Sequence, residues 1–107
     1  MANSVDLSVE ISGVKLDNPL VLSEGPLTGN ARLIERAAEH SMGAIVTKSI
    51  LPKEQHSPNK YMTAAAKGLI NADWTDIGFD EWIKELDSLK IDKPLITNVT
   101  TDRKSVV

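Results

Sequence analysis

The residues best suited to chemistry fall in three short clusters, each following an apolar run. Ser23, Glu24 and Gly25 close the first, Thr47, Lys48 and Ser49 the second, and Asn98, Thr100 and Thr101 the third. A lysine supplies a point charge for a phosphate or a developing anion. Serine and asparagine add neutral hydrogen bonds, and a glycine lets the backbone come close to a ligand. Such a set suits a flat, polar, anionic cofactor or substrate better than a metal. Lys48 is the sharpest member: "GAIVTKS" runs from small and β-branched apolar residues straight into a lysine, with no polar stretch to prepare it.

Each candidate has a plainer alternative. A lysine after a strand is commonly solvated, and asparagine is an ordinary turn residue. Asn98-Val99-Thr100 also matches the glycosylation pattern, but no secretory signal accompanies it. His40 ends a predicted helix, where a cation suits the dipole, and His56 stands alone in a polar loop with no partner at metal spacing. Glu24, Asp73 and Asp76 make a carboxylate cluster only if the fold joins them. Trp74 and Trp82 read as packing residues.

The elements that must position these clusters are legible in the periodicity. Val5, Leu7, Val9 and Ile11 alternate with polar residues, the period of a half-buried strand. Ser12–Val14 is a turn signal, and Val14–Leu16 pairs back as a hairpin. Asp17–Pro19 breaks the chain, and Leu20–Ser23 forms a short apolar strand. A helix is expected from about Asn30 to His40, with Leu33, Ile34, Ala37 and Ala38 on one face and Asn30 or Thr28 as its cap. Gly43–Thr47 is a buried strand. A second helix spans about Phe79 to Leu89, with Phe79, Trp82, Ile83, Leu86 and Leu89 as its apolar stripe. Pro94 opens a strand over Leu95–Val99, and "TTDRKSVV" looks like a helix start capped by Thr101 or Asp102.

The resulting order is a hairpin followed by β-α-β-loop-α-β. Near-continuous apolar strands of this kind belong to parallel sheets covered by helices, whose ligands sit at the carboxyl ends of the strands. Residues 50–77 carry no strong period, and loops beyond about 12–15 residues are usually functional. Three β/α units leave an open sheet edge, and a closed barrel needs roughly 250 residues. The chain is therefore expected to be a single unit, residues 1–107, forming the first part of a larger barrel or one piece of an assembly. A compact three-stranded α/β domain is the alternative.

Composition narrows the function. The 107 residues carry a net charge of −3, 41% hydrophobic and 25% charged residues, no cysteine and only 4% aromatics. An acidic balance without a basic stripe argues against nucleic acid, and scarce aromatics argue against base stacking. No run approaches the roughly 18 apolar residues of a membrane span. Without cysteines, disulfides and thiolate metal sites are excluded within this chain, and a cytoplasmic setting fits best.

The order of these motifs resembles the N-terminal part of the dihydroorotate dehydrogenase family, especially its cytosolic branch, and related flavin-dependent barrels. "LDNPLVLSEG" (Leu16–Gly25) is similar to the family's "NP…ASG" first strand, and "GAIVTKS" (Gly43–Ser49) to its "GA…TKS" second strand. "SPNKY" (Ser57–Tyr61) echoes "GNP.PR", "GLINADWTDIGFDEW" (Gly68–Trp82) resembles "INSMGLPN.GFD", and "KPLITNVTT" (Lys93–Thr101) fits the third strand.

The resemblance implies an α/β fold, the N-terminal portion of a TIM (β/α)8 barrel with an N-terminal β-hairpin. It implies bound FMN at the carboxyl ends of the strands and oxidation of a dihydropyrimidine-like substrate, as dihydroorotate to orotate in pyrimidine biosynthesis. Ser23 and Gly25 would approach the flavin. Lys48 would lie near both the ring and the substrate, stabilising the reduced, anionic flavin. Ser49 would hydrogen-bond the ring, Asn98 would line the flavin site, and Asn71 would bind the substrate.

Departures from the family pattern are also visible. Glu24 stands where the family has serine or another small residue, "ADWTD" replaces "MGL.N" after Asn71, and Thr101 replaces a glycine. The family's catalytic base and flavin-phosphate site lie on segments beyond Val107, so on this resemblance the chain alone would lack both. The expected partners are a small-molecule substrate and either the remainder of the barrel or further copies of the chain, with no nucleic acid and no membrane. Two other readings compete: Lys48 as a Schiff-base nucleophile of the aldolase type, and a catalytically inactive fragment or subunit whose sheet edge pairs with another chain.

Overall fold

The computed structural model describes residues 4–54, 63–70 and 75–100. It opens on an antiparallel hairpin of β1 (Val9–Ile11) and β2 (Val14–Leu16), joined by Ser12 and Gly13. Both turn residues have positive φ, 49° and 81°. That is the requirement of the hairpin turn whose twist matches its strands, and it explains a glycine at the second position.

β1 is shorter than the alternation from Val5 predicts. β2 ends at Leu16, opposite Val9, so residues before Val9 have no strand to pair with. Val5 and Leu7 are accordingly exposed.

The centre is a three-stranded parallel sheet, β3 (Val21–Leu22), β4 (Ala44–Val46) and β7 (Leu95–Ile96), in the order β3-β4-β7. Each strand is laid beside the previous one, with no reversal of direction or order. Helix α1 (Ala31–Ala38) links β3 to β4, and α2 (Phe79–Ser88) precedes β7. Leu22, Ile45 and Leu95 share one register row and one face. They pack with Ile34 of α1, Trp82 of α2 and Ile50 as the apolar core.

The helices start where local chemistry allows. Asn30 caps α1, its Oδ1 accepting the Leu33 N–H at 2.9 Å, and such a cap is worth about 1 kcal/mol. Glu85 of α2 also accepts the Ala31 N–H at 2.6 Å, while Glu35 of α1 accepts the Lys90 N–H at 3.2 Å. Two carboxylates thus tie the helices to one another. Gly78 precedes α2, and Asp80 and Glu81 fill its first turn, where negative charge suits the dipole. The predicted apolar stripe of α2 is only partly used. Trp82 is buried, whereas Phe79 and Ile83 are about half exposed, because three strands offer less surface than the stripe is wide.

Gly43 is demanded by packing. The Asn18 side chain accepts the Leu20 N–H and donates to Ser41 O, bringing the turn before β3 against the start of β4. A Cβ on Gly43 would lie 1.9 Å from Asn18 O.

The aperiodic stretch 50–77 holds a second hairpin, β5 (Thr63–Ala65) with β6 (Gly68–Ile70), which the sequence pattern does not announce. Three-residue strands, Thr-Ala-Ala and Gly-Leu-Ile, are too short to show an alternation. Among the described residues no helix is long and apolar enough to cross a membrane. The SPNKY segment, Asn71, His56, Asp73, Trp74 and the expected helix start at 101–107 lie outside the described residues.

Candidate functional site

β4 and β7 do not stop where their regular pairing does. Thr47 N donates to Ile96 O at 2.9 Å, Ile50 N to Asn98 O at 2.7 Å, and Thr100 N to Ile50 O at 3.0 Å. Ile50 and Val99 form a further parallel bridge. Thr47, Lys48, Ser49 and Asn98 are therefore held on extended, hydrogen-bonded backbone rather than on a free loop.

The fold brings the three predicted clusters together. Ser49 of the second donates its hydroxyl proton to the Glu24 carboxylate of the first at 3.2 Å. Asn98 of the third donates from Nδ2 to Ser49 Oγ at 3.1 Å. Glu24, Ser49 and Asn98 thus form one hydrogen-bonded row across three strand ends. Ser23 lies exposed beside it. Gly25 is half-buried, and a Cβ built there meets no described atom within 4 Å. Thr100 continues the backbone pairing, and Thr101 lies outside the described residues. Among the described residues no group of three or more acidic, histidine or cysteine side chains could hold a metal. Glu24 is engaged with Ser49 instead.

Lys48 is only 7% exposed. Its N–H donates to Thr28 O at 3.0 Å. Its stem runs beside Gly29, where a Cβ would lie 3.7 Å from Lys48 Cδ. Among the described residues its ammonium has no hydrogen-bond or ion-pair partner. Among the described residues only Trp82 Nε1 is a fully buried side-chain polar atom without a partner, so the Lys48 ammonium keeps solvent contact while its stem is packed. The arrangement therefore suits an anionic or electron-rich group brought from outside these residues.

Two threonines frame the site: Thr47, a member of the second cluster, and Thr28, which the sequence offers only as a helix cap. Thr28 is fully buried, ends the 3-10 turn Pro26–Thr28, and exchanges side-chain hydrogen bonds with the Gly25 backbone. It braces Gly25 on one side and, through its carbonyl, Lys48 on the other. Thr47 is also fully buried, and its Oγ1 accepts the Asn98 N–H at 3.0 Å. Its place at the end of the apolar strand is what put Thr47 in the second cluster. Thr28 reads in sequence only as a possible helix cap.

The donor set fits a flavin on these observations. Lys48 offers an uncompensated positive charge, Gly25 offers backbone that a side chain would obstruct, and Asn98 keeps amide capacity beyond its bond to Ser49.

No protein-family model matches the chain. Curated relatives do. The dihydroorotate dehydrogenase B (NAD(+)) catalytic subunit of Pyrococcus abyssi is 32% identical over 95 residues, covering 87% of this chain and 32% of that protein. The protein of the same description from Methanosarcina mazei is 36% identical over 99 residues, 87% of this chain and 31% of its own length. A chloroplastic dihydropyrimidine dehydrogenase (NADP(+)) of Arabidopsis thaliana is 38% identical over 45 residues, 42% of this chain and 11% of that protein. The chain spans about a third of the length of the dihydroorotate dehydrogenases it matches.

Proposed function

Because this chain is a sequence relative of the dihydroorotate dehydrogenase family, we propose that it forms the N-terminal portion of an FMN-dependent oxidoreductase built on a (β/α)8 barrel. The proposed reaction is oxidation of a dihydropyrimidine-like ring, in the manner of dihydroorotate to orotate in pyrimidine biosynthesis, by a cytoplasmic enzyme. The sequential parallel strands, with both helices on one face, support the barrel. The match to subunits described as catalytic supports assembly with the remainder of the barrel and with a companion subunit.

The observation that carries the reading is Lys48, a buried lysine with no partner for its ammonium among the described residues, at the carboxyl end of a parallel strand. FMN held here would supply the two-electron redox chemistry for oxidising the saturated ring bond. Lys48 supplies positive charge beside the ring and the substrate. Gly25 and Ser23 let backbone approach the cofactor. Ser49 and Asn98 hold its edge, and Asn71 contacts the substrate. Thr28 and Thr47 keep Gly25, Lys48 and Asn98 in register and so limit the reorganisation needed when charge moves.

Visible absorption of the protein expressed from its complete reading frame, with its intact mass, tests the reading. The expected result is the two-band spectrum of an oxidised flavin in a protein larger than this chain. A colourless protein that takes up no added FMN contradicts it. The same buried lysine also fits a Schiff-base nucleophile. Covalent trapping of a carbonyl substrate by borohydride at Lys48, without a flavin spectrum, would favour that chemistry.

A further inference from the structure

Glu24 is the member of the strand-end row to which the flavin reading gives no task. It stands where the family pattern has serine or another small residue, and its side chain is exposed. Among the described residues its carboxylate makes one hydrogen bond, accepting the Ser49 hydroxyl proton at 3.2 Å. Its effect on the site therefore passes through Ser49.

That effect is on direction. An ionised carboxylate only accepts hydrogen bonds, and a serine has one proton to give. The Ser49 proton is thus committed to Glu24, and the serine oxygen can only accept from Asn98, whose Nδ2 lies 3.1 Å away. The Asn98 amide is fixed in turn, with Oδ1 left without a donor among the described residues. Ser49 keeps one unused lone pair. What the pair has left to offer outwards includes two acceptor positions, set by a carboxylate at the far end of the row. A serine in place of Glu24 would both donate and accept, and would leave the direction open.

The frame behind these acceptors is firm. The Asn98 N–H is held by Thr47 Oγ1 at 3.0 Å, and its carbonyl accepts the Ile50 N–H at 2.7 Å. Thr47 is itself fully buried. Acceptors on such a frame need a donor at a defined place. The oxidised flavin ring carries a single N–H, on the imide between its two carbonyls, and the other polar atoms along that edge accept. Acceptors in this row therefore match one point of the ring, whereas donors would match several.

We infer that Glu24 is a positioning residue: it fixes the hydrogen-bond direction of the row, so that Ser49 and Asn98 meet the flavin as acceptors and hold it by its imide N–H. The inference rests on the flavin reading above.

The test uses flavin-free protein expressed from its complete reading frame. The probes are FMN and FMN methylated at the imide nitrogen, which lacks the N–H. Binding is read from the change in flavin fluorescence, and the quantity of interest is the ratio of the two affinities. Wild type is expected to hold FMN about tenfold more tightly than the methylated analogue, the scale of one satisfied hydrogen bond. Glu24→Ala frees the Ser49 proton, and the ratio is expected to fall to about threefold or less. Glu24→Gln keeps an oxygen that accepts from Ser49 while removing the charge, and is expected to stay within about twofold of the wild-type ratio. A general loosening of the site would weaken both flavins alike and leave the ratio where it was.

Equal binding of the two flavins by wild type, or a ratio that Glu24→Ala leaves unchanged, overturns the inference. A ratio in Glu24→Gln as low as in Glu24→Ala also overturns it, because charge and not direction would then be the cause. Loss of all flavin binding in Glu24→Ala overturns it too, since a residue acting only through Ser49 does not carry the whole affinity. Failure of the wild-type protein to bind FMN at all overturns the flavin reading itself, which separates that failure from the others.

Discussion

On one face of the central sheet Leu22, Ile45 and Leu95 lie with α1 and α2 in a continuous apolar core. On the other face, the register sets Val21 beside Ala44 and Val46 beside Ile96, and Val21 and Ile96 are 40% and 50% exposed. The same three strands thus supply one face that is covered and one whose larger apolar side chains await cover. Apolar burial is the main driving force of folding, so the covered face contributes the stability of this part of the chain. The open face has a different task in the proposed barrel: it is the interior wall, and the polar row of Glu24, Ser49 and Asn98 runs along the strand ends that bound it.

The largest test of this contrast is a pair of truncations in the protein expressed from its complete reading frame. Ile45→Ala removes a fully buried side chain from the covered face and is expected to cost roughly 2–5 kcal/mol in a urea titration. Ile96→Ala is expected to cost a similar amount there, because the account has the rest of the barrel covering the open face. A cost within about 0.5 kcal/mol, the value typical of surface positions, would mean that this face stays in water.

Next in size is Lys48→Met, whose expected sign is reversed. Lys48 is 7% exposed, with a packed stem and no partner for its ammonium among the described residues, so an apolar side chain of similar length suits the same space. Replacing it is expected to raise the stability of the flavin-free protein by about 0.5–2 kcal/mol, measured by thermal unfolding. A loss of stability would mean that Lys48 is a structural member of the fold.

Smaller again is Asn30→Ala, which removes the α1 cap. The expected cost is about 1 kcal/mol by denaturant titration, with no change in flavin affinity, because the cap lies on the helical layer and not in the strand-end row. An equal loss of flavin would show that the two layers are less separable than the sheet suggests.

The division between the faces also explains what the sequence made readable. The hairpin turn at Ser12–Gly13, the apolar strands and the Asn30 cap are local features, and residue type and spacing announce them. β1 is shorter than the alternation from Val5 predicts, because that alternation says nothing about the length of its partner. β5 and β6 escape a reading of periodicity because three residues each are too few to establish one. The spacing predicts the apolar stripe of α2, yet Phe79 and Ile83 are half exposed, since burial depends on how much sheet lies beneath a helix.

At the strand ends, the clustering of Lys48, Ser49 and Asn98 followed from the rule for parallel sheets. The bond from Ser49 to Glu24 and the bracing by Thr28 did not. They join residues 25 and 20 positions apart through the fold, and no periodicity records such a pairing.

The central claim is that Lys48 is a charge kept for a redox cofactor, and the reduction potential of the bound flavin tests it most directly. The measurement compares wild type with Lys48→Met, both expressed from the complete reading frame and loaded with FMN. Loss of a nearby positive charge should make the flavin harder to reduce, lowering its two-electron potential by roughly 30–60 mV, or about 1.4–2.8 kcal/mol. An unchanged potential in a variant that still binds FMN would contradict the account and return Lys48 to the status of an ordinary buried lysine.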